Sequence, residues 1–214
     1  MAIIGRRPWD AVVLQSYSTL DVKRPGDPAT LIASVHSLAG ALRDKNPAVQ
    51  IFLTATWPRA DQIYPADGAW HGKPLEAMAR DVRAGYELAA AATPGVQRVV
   101  AVGDAWVRAV QTGVADGNPY DGIDAGKIDL WAYDHYHGST FGYYLEALMV
   151  FGSVTGRDPR SLGVNECSAF ELGLSTETVA ALQKVAFDQL VEDGVLNAST
   201  RFAPRDQPRA ACTG

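Results

Sequence analysis

The chain has 214 residues, of which 47% are hydrophobic, and a formal net charge of −5. This length and apolar content suit one domain with a substantial core. Lysine and arginine are scattered rather than gathered into a basic stripe, which disfavours nucleic-acid binding. No apolar run approaches the roughly 20 residues that span a bilayer. The stretch from Met1 to Pro8 is too short and interrupted for a signal peptide, so we predict a soluble protein of undetermined compartment.

Three short apolar runs predict buried strands, and segments with helical periodicity separate them. The strands are expected at residues 9–15, 50–56 and 98–102, and the helices at 28–45, 74–92, 103–111, 140–155 and 175–193. Strands that alternate with helices predict a parallel sheet covered on both faces, an α/β fold of the three-layer α/β/α type. We expect one domain over residues 1–196 and a loose tail over 197–214. Cys212, in that tail, is not expected to pair with Cys167.

Functional side chains are expected at the carboxyl ends of the strands, where open α/β sheets bind their ligands. The long loop 59–72 follows the second strand, and loops of this length are often functional. Several aromatic residues lie in loops at this end of the sheet and predict either a wall for an acyl or sugar group or ordinary rim packing. They are Trp57, Tyr64, Trp70, Tyr133 and Tyr136. Trp9 and Trp106 are assigned to the core.

Asp134 and His137 are three residues apart in the turn before the helix at 140–155. A carboxylate on the far nitrogen of a histidine fixes its tautomer and stabilises the imidazolium, so the pair predicts the acid–base half of a proton relay. A surface turn capped by Asp134 is the alternative interpretation. His135 and His137 beside Asp134 also suit a zinc or iron site. No further cluster of His, Cys or Glu in the sequence supports such a site, so we predict no metal and no cofactor.

The segment that begins at Asp134 reads D-H-Y-H-G-S-T-F-G-Y-Y-L-E-A and is followed by F-G-S-V-T-G. This segment resembles the last sequence block of the SGNH (GDSL-type) ester hydrolases. The third, fourth and fifth strands of one branch of that superfamily resemble W-D-A-V-V-L-Q-S-Y-S, I-F-L-T-A-T-W and V-V-A-V-G-D-A-W. The resemblance covers residues 9–162. It implies that Asp134 is the triad acid and His137 the triad base. It also implies a flavodoxin-like sheet of order 2-1-3-4-5 and a small acyl ester, including an ester on a carbohydrate, as substrate.

The nucleophile block of that family has no match in this sequence. The family's serine follows the first strand in a Gly-Asp-Ser or Gly-Asn-Ser block, whereas only eight residues precede Trp9 here. The resemblance therefore implies either a chain that lacks the first two strands or a different nucleophile. Ser16 and Ser18 are the candidate substitutes, and Gln15 or Tyr17 is the candidate oxyanion donor. The alternative is that these side chains satisfy backbone groups of their loop.

The sequence thus predicts a serine esterase of the SGNH type that acts on a small-molecule ester, with Trp57 and Tyr133 at the substrate site. One alternative is a truncated, non-catalytic α/β domain for binding or assembly, and another is a metal-dependent hydrolase. Loss of the family's first strand would expose one edge of the strand at 10–14. An exposed apolar edge tends to pair with another chain, which predicts a homodimer through that edge.

Overall fold

The computed structural model describes residues 6–199 and 212. These residues form two compact units, one with residues 6–58 and 73–103 and the other with residues 59–72, 104–199 and 212. None of the helices in the described ranges combines the length and apolar character that a bilayer crossing needs.

The secondary structure consists of three strands, seven α-helices and a 3-10 helix within the described residues. In chain order these are β1 (Ala11–Leu14), α1 (Ala29–Arg43), β2 (Gln50–Ala55), α2 (Ala60–Ile63), α3 (Leu75–Ala92), β3 (Val96–Ala101), α4 (Val102–Gln111), α5 (Thr140–Thr155), the 3-10 helix (Pro159–Leu162), α6 (Cys167–Glu171) and α7 (Thr176–Glu192).

The first unit contains a parallel sheet with the strand order β1-β2-β3. β2 is the central strand, with Ile51 opposite Val12 of β1 and Leu53 opposite Val99 of β3. Helices α1 and α3 pack against each other, and α3 also packs against β2 and β3. Every residue of β2 after Gln50 is buried, because the strand has a neighbour on each side and an apolar sequence.

The predicted three-layer α/β/α class is confirmed by the parallel sheet and the alternation of strands with helices. The three predicted strands and five predicted helices are present, with bounds that shift by a few residues. The order β1-β2-β3 agrees with three consecutive strands of the flavodoxin-like order. The SGNH type of the sheet, and a loss of two strands before β1, stay predictions.

In the second unit, helix α5 packs against α7 and the 3-10 helix. Its residues Leu145 and Leu148 are buried, as is Leu182 of α7. Ser139 begins the helix by accepting hydrogen bonds from two backbone N–H groups of the first turn, and Gly156 ends it in a left-handed conformation with φ 66°. The predicted bounds of this helix, 140–155, are confirmed because both capping signals are local.

The two tryptophans that the sequence assigned to the core differ in exposure. Trp106 is buried with 0% of its surface exposed, as predicted, whereas Trp9 is 38% exposed, and its assignment to the core is wrong. Trp9 precedes β1, which lies at the edge of the sheet with a sheet neighbour on one side. A residue at such an edge has fewer neighbours to cover its side chain than a residue beside a central strand.

A disulfide joins Cys167, the first residue of α6, to Cys212. The expectation that these cysteines do not pair is wrong, since folding brings their Cα atoms to 5.1 Å across a separation of 45 residues. A closed loop of this length restricts the unfolded chain and typically stabilises the fold by roughly 2–4 kcal/mol. Of the predicted loose tail at 197–214, residues 200–211 and 213–214 lie outside the described residues.

Close packing at Gly142 holds the start of α5 in place. A Cβ atom at Gly142 would overlap the indole of Trp106 and the carbonyl oxygen of Leu130. Trp106 in turn contacts Trp131, with ring centroids 5.6 Å apart. The missing side chain at position 142 therefore lets the helix approach Trp106, which packs on Trp131, a residue just before Asp134 in the chain.

We predict that Gly142→Ala lowers the free energy of unfolding by about 1–3 kcal/mol, because the added methyl group must displace buried atoms. Denaturant unfolding followed by circular dichroism measures the change. Gly40→Ala is the control, since a Cβ atom at this exposed position of α1 meets nothing within 4 Å. Alanine is better than glycine in a helix interior by about 1 kcal/mol, so the control is expected to be stabilised. A Gly142→Ala protein as stable as the parent would contradict the close packing.

Candidate active site

Residues 131–139, the Asp134 loop, form a tight turn in the second unit that backbone hydrogen bonds close. The N–H of Ala132 donates to the carbonyl oxygen of His137 at 2.8 Å, and the N–H of His135 donates to the carbonyl oxygen of Ala132 at 2.9 Å. His135 has a left-handed backbone with φ 56°, a conformation that a non-glycine residue adopts mainly in tight turns. This turn brings the backbone of His137 back toward the start of the loop.

Both ends of the Asp134 loop are anchored to the second unit. Trp131, 1% exposed, packs against Trp106 at the first end. Ser139 anchors the other end, because its hydroxyl donates to the carbonyl oxygen of Asp129 at 2.7 Å and accepts from N–H groups of α5. The chemistry-bearing residues between these anchors therefore lie on a short segment that is fixed at both ends.

Asp134 binds His137 with both carboxylate oxygens. Oδ1 accepts hydrogen bonds from the backbone N–H groups of Tyr136 at 3.1 Å and His137 at 2.9 Å. Oδ2 lies 2.6 Å from the Nδ1 of His137. The His137 side chain, 55% exposed, is therefore both close to the carboxylate and accessible. The two interpretations of Asp134, as a relay acid and as a turn cap, are compatible in this geometry.

The hydrogen bond from the His137 side chain is the largest cause that lowers the pKa of Asp134 to about 2. The backbone N–H groups of His137 and Tyr136 lower this pKa further, because both donate to the charged form. An ionised carboxylate only accepts hydrogen bonds, so Nδ1 of His137 carries a proton and Nε2 is the basic nitrogen. An imidazole held in this tautomer can accept a proton at Nε2.

Tyr136 contacts both the imidazole of His137 and the guanidinium of Arg59. The Tyr136 and His137 ring centroids are 4.3 Å apart with 27° between the planes, and Cζ of Arg59 is 3.6 Å from the Tyr136 centroid. Arg59 is 5% exposed and pairs with the carboxylate of Asp61 through two nitrogens, at 2.5 and 2.9 Å. A cation over an aromatic face contributes about 0.5–2 kcal/mol. The stack therefore limits the orientations open to the His137 ring.

The sequence analysis did not identify Arg59 as a site residue. A single arginine in an irregular segment has no pattern that marks it as functional. The one relevant signal was the length of the loop 59–72, in which the structure places the short helix α2 directly after Arg59. The contact between Arg59 and Tyr136 depends on tertiary folding, because the two residues are distant in the chain.

His135 has different partners from the Asp134–His137 pair. Its ring is 4.3 Å from the ring of Tyr120, and its carbonyl oxygen accepts the N–H of Asp61 at 3.2 Å. Within the part of the chain that the structure describes, its Nδ1 atom is buried and lacks a hydrogen-bond partner. Over the same residues, no group of three or more His, Cys, Asp or Glu side chains is arranged to hold a metal ion.

The predicted nucleophile and oxyanion residues belong to the first unit and follow β1. Ser16 is half-buried, and its backbone N–H donates to the hydroxyl of Tyr86 at 2.8 Å. Ser18 is buried with 7% exposed, whereas Gln15 and Tyr17 are exposed. The side chain of Ser16 is thus more accessible to a ligand than that of Ser18. The catalytic roles of these four residues stay predictions.

The two aromatic residues predicted to bind substrate differ sharply in exposure. Trp57, in the first unit, is 4% exposed, and Tyr133, in the Asp134 loop, is 96% exposed. A buried indole presents little surface to a ligand, whereas an exposed phenol presents most of its ring. Trp70 is also buried. Among the loop aromatics of the second unit, Tyr133 and Tyr136 therefore lie nearest the relay pair in the chain and remain accessible.

Comparison with known proteins supplies a fold but no function. No family model and no curated protein matches this chain. The crystal structure of a DUF4886 family protein from Bacteroides uniformis is similar, with a TM-score of 0.64 and 17% sequence identity. The match covers 94% of this chain and 70% of that chain. At this identity the similarity establishes the α/β fold alone.

We predict that His137→Ala raises the pKa of Asp134 from about 2 toward its ordinary value of 3.8, because the largest cause of the shift is removed. In the parent protein the lowered pKa contributes to folding stability above about pH 4, and this contribution is lost as the pH falls toward 2. Carboxyl carbon shifts in an NMR titration measure the change. The control is Asp21, whose pKa is lowered by the backbone N–H groups of Arg24 and Lys23 and is expected to stay the same. An Asp134 pKa that stays the same in His137→Ala would contradict the contact between the two side chains.

Proposed function

We propose that this chain is an ester hydrolase of the SGNH type in which His137 is the general base and Asp134 orients it. The observation that carries the proposal is the 2.6 Å contact between Oδ2 of Asp134 and Nδ1 of His137. An imidazole held in this way, with 55% of its side chain exposed, can remove a proton from an attacking hydroxyl and later return it to the leaving alcohol. The resemblance of the Asp134 segment to the last block of these hydrolases supports the same roles.

In this proposal a serine hydroxyl attacks the carbonyl carbon of a small acyl ester. The serine proton passes to Nε2 of His137, the C–O bond to the alcohol breaks, and the imidazolium protonates the departing alcohol. Water then attacks the acyl-serine with the same base, which releases the carboxylic acid. Ser16 and Ser18 are the candidate nucleophiles from the sequence, and Ser16 has the more accessible side chain, so Ser16 is the first serine to test.

The disulfide between Cys167 and Cys212 bears on where the protein works. Disulfides persist mainly in oxidising surroundings, such as the periplasm or the outside of the cell. We therefore propose that the protein meets its ester substrate in an oxidising compartment, which the sequence left undetermined.

We expect the protein to hydrolyse 4-nitrophenyl acetate, and His137→Ala to lower kcat/KM by about 10²–10⁴-fold, the usual contribution of general-base catalysis. The release of nitrophenolate measures the rate. His36→Ala is the matched control, because His36 is an exposed histidine on α1 and is expected to be dispensable. Full hydrolysis by His137→Ala would overturn the proposed role of the relay.

A second experiment identifies the nucleophile in the same preparation. A fluorophosphonate probe is expected to label Ser16, and peptide mass spectrometry locates the modified residue. Ser16→Ala is expected to abolish both labelling and hydrolysis. If Ser16→Ala remains fully active, the assignment of this serine is wrong, whereas the role of His137 is tested separately by its own variant.

The alternative function in assembly is favoured by the edge strand β1. β1 hydrogen-bonds to β2 on one side and, among the described residues, to no further strand. Val13 within β1 and Trp9 before it are each 38% exposed. An exposed apolar strand edge favours pairing with a second strand, and we propose that a second copy of this chain supplies it.

We expect the protein to elute as a dimer in size-exclusion chromatography with light scattering, and Val13→Lys to shift it to a monomer because a buried lysine opposes pairing. Val22→Lys is the control, since Val22 is 71% exposed and lies outside β1. A monomeric mass for the parent protein at all concentrations would contradict pairing through β1.

A further inference from the structure

An apolar pocket of about 290 Å³ lies in the second unit beside α5, where α5, the 3-10 helix and α6 contribute residues. This volume lies just below the usual range for small-molecule sites, about 300–1,000 Å³. Its apolar wall consists of Ala147, Leu148, Phe151, Leu162 and Leu172. A pocket with such a wall favours the aliphatic or aryl part of a small ligand.

Two polar residues at this pocket, Tyr144 and Glu166, have partners within the protein. Tyr144 is 3% exposed, and its hydroxyl accepts a hydrogen bond from Nε2 of Gln183 at 3.3 Å. Glu166 accepts two hydrogen bonds, from the N–H groups of Ser168 at 2.8 Å and Ala169 at 2.7 Å. A carboxylate that is satisfied in this way repels a second anion. The pocket therefore suits an uncharged apolar group rather than a free acid.

Tyr143 connects this pocket to the Asp134 loop. Its side chain lines the pocket, and its ring lies against Gly138, where a Cβ atom would be 3.5 Å from Cγ of Tyr143. Burial is the largest cause that raises the pKa of Tyr143, and the negative charges of Glu146 and Asp134 raise it further. One side chain thus borders both the pocket and the segment that holds His137.

We propose that the pocket between α5, the 3-10 helix and α6 binds the acyl chain of the ester substrate, with Tyr143 as the wall shared with the relay. The proposal rests on the proposed hydrolysis and adds the substrate class, esters of medium-length acids. Each methylene that moves from water into an apolar site improves binding roughly fourfold. The structure therefore assigns a preference for hexanoyl over acetyl esters.

The test compares 4-nitrophenyl hexanoate with 4-nitrophenyl acetate as substrates. We expect the parent protein to favour the hexanoate in kcat/KM by up to roughly 250-fold, since hexanoate has four more methylenes than acetate and each contributes up to about fourfold. Ala147→Trp fills the pocket from an exposed position, and we expect it to lower this ratio at least about tenfold. Ala180→Trp is the matched control, since Ala180 is exposed on α7 outside the pocket, and the ratio is expected to hold.

Binding of hexanamide, an uncharged and unreactive analogue, separates this proposal from the proposed hydrolysis. We expect hexanamide to shift the NMR signals of Tyr143 in His137→Ala, and Ala147→Trp in the same background to abolish the shift. If hexanamide binds as expected and no ester is hydrolysed, the pocket is confirmed as a ligand site and the hydrolase proposal is wrong. If esters are hydrolysed with no preference for chain length, or if hexanamide does not bind, the pocket proposal is overturned. A pocket that binds only an apolar peptide would overturn it as well.

Discussion

The packing of Trp131 on Trp106 is the contact on which the candidate site depends. It buries the first residue of the Asp134 loop, and Gly142 makes room for the Trp106 indole at the start of α5. Ser139 fixes the other end of the loop by capping α5. Because both ends are held by buried or hydrogen-bonded groups, Asp134 and His137 can be exposed without losing their relative position. A polar pair on a free surface turn would have no such support.

Within this frame, the orientation of His137 comes from three kinds of interaction. The Asp134 carboxylate selects the tautomer, the backbone of the turn sets the distance, and the Tyr136 ring limits rotation. Arg59 acts on His137 indirectly. Its guanidinium lies over the Tyr136 ring and forms an ion pair with Asp61. Buried charge partners of this kind hold a guanidinium in one place, which is more useful for positioning than for stability.

The Asp134–His137 pair lies in the loop directly before α5, and the apolar pocket lies along α5. This arrangement separates two kinds of chemistry. Charge and hydrogen bonding lie at the start of the helix, in the Asp134 loop, while the apolar wall lies along its flank. At the pocket, the Tyr144 hydroxyl accepts a hydrogen bond from Gln183 and the Glu166 carboxylate accepts hydrogen bonds from the backbone of α6, so both groups have partners within the protein. Tyr143 has a phenol near the charged end and a ring against the apolar side, so it suits the boundary between them.

The sequence by itself determined the features that depend on neighbours in the chain. Apolar periodicity predicted the strands and the helices, including the bounds of α5, and the three-residue spacing predicted the contact between Asp134 and His137. Only the tertiary structure decided which distant residues meet or become covered. It paired Cys167 with Cys212, stacked Arg59 on Tyr136, exposed Trp9 and buried Trp57. Local conformational preference and hydrogen bonding act over a few residues, whereas burial and pairing depend on the path of the whole chain, which no local pattern records.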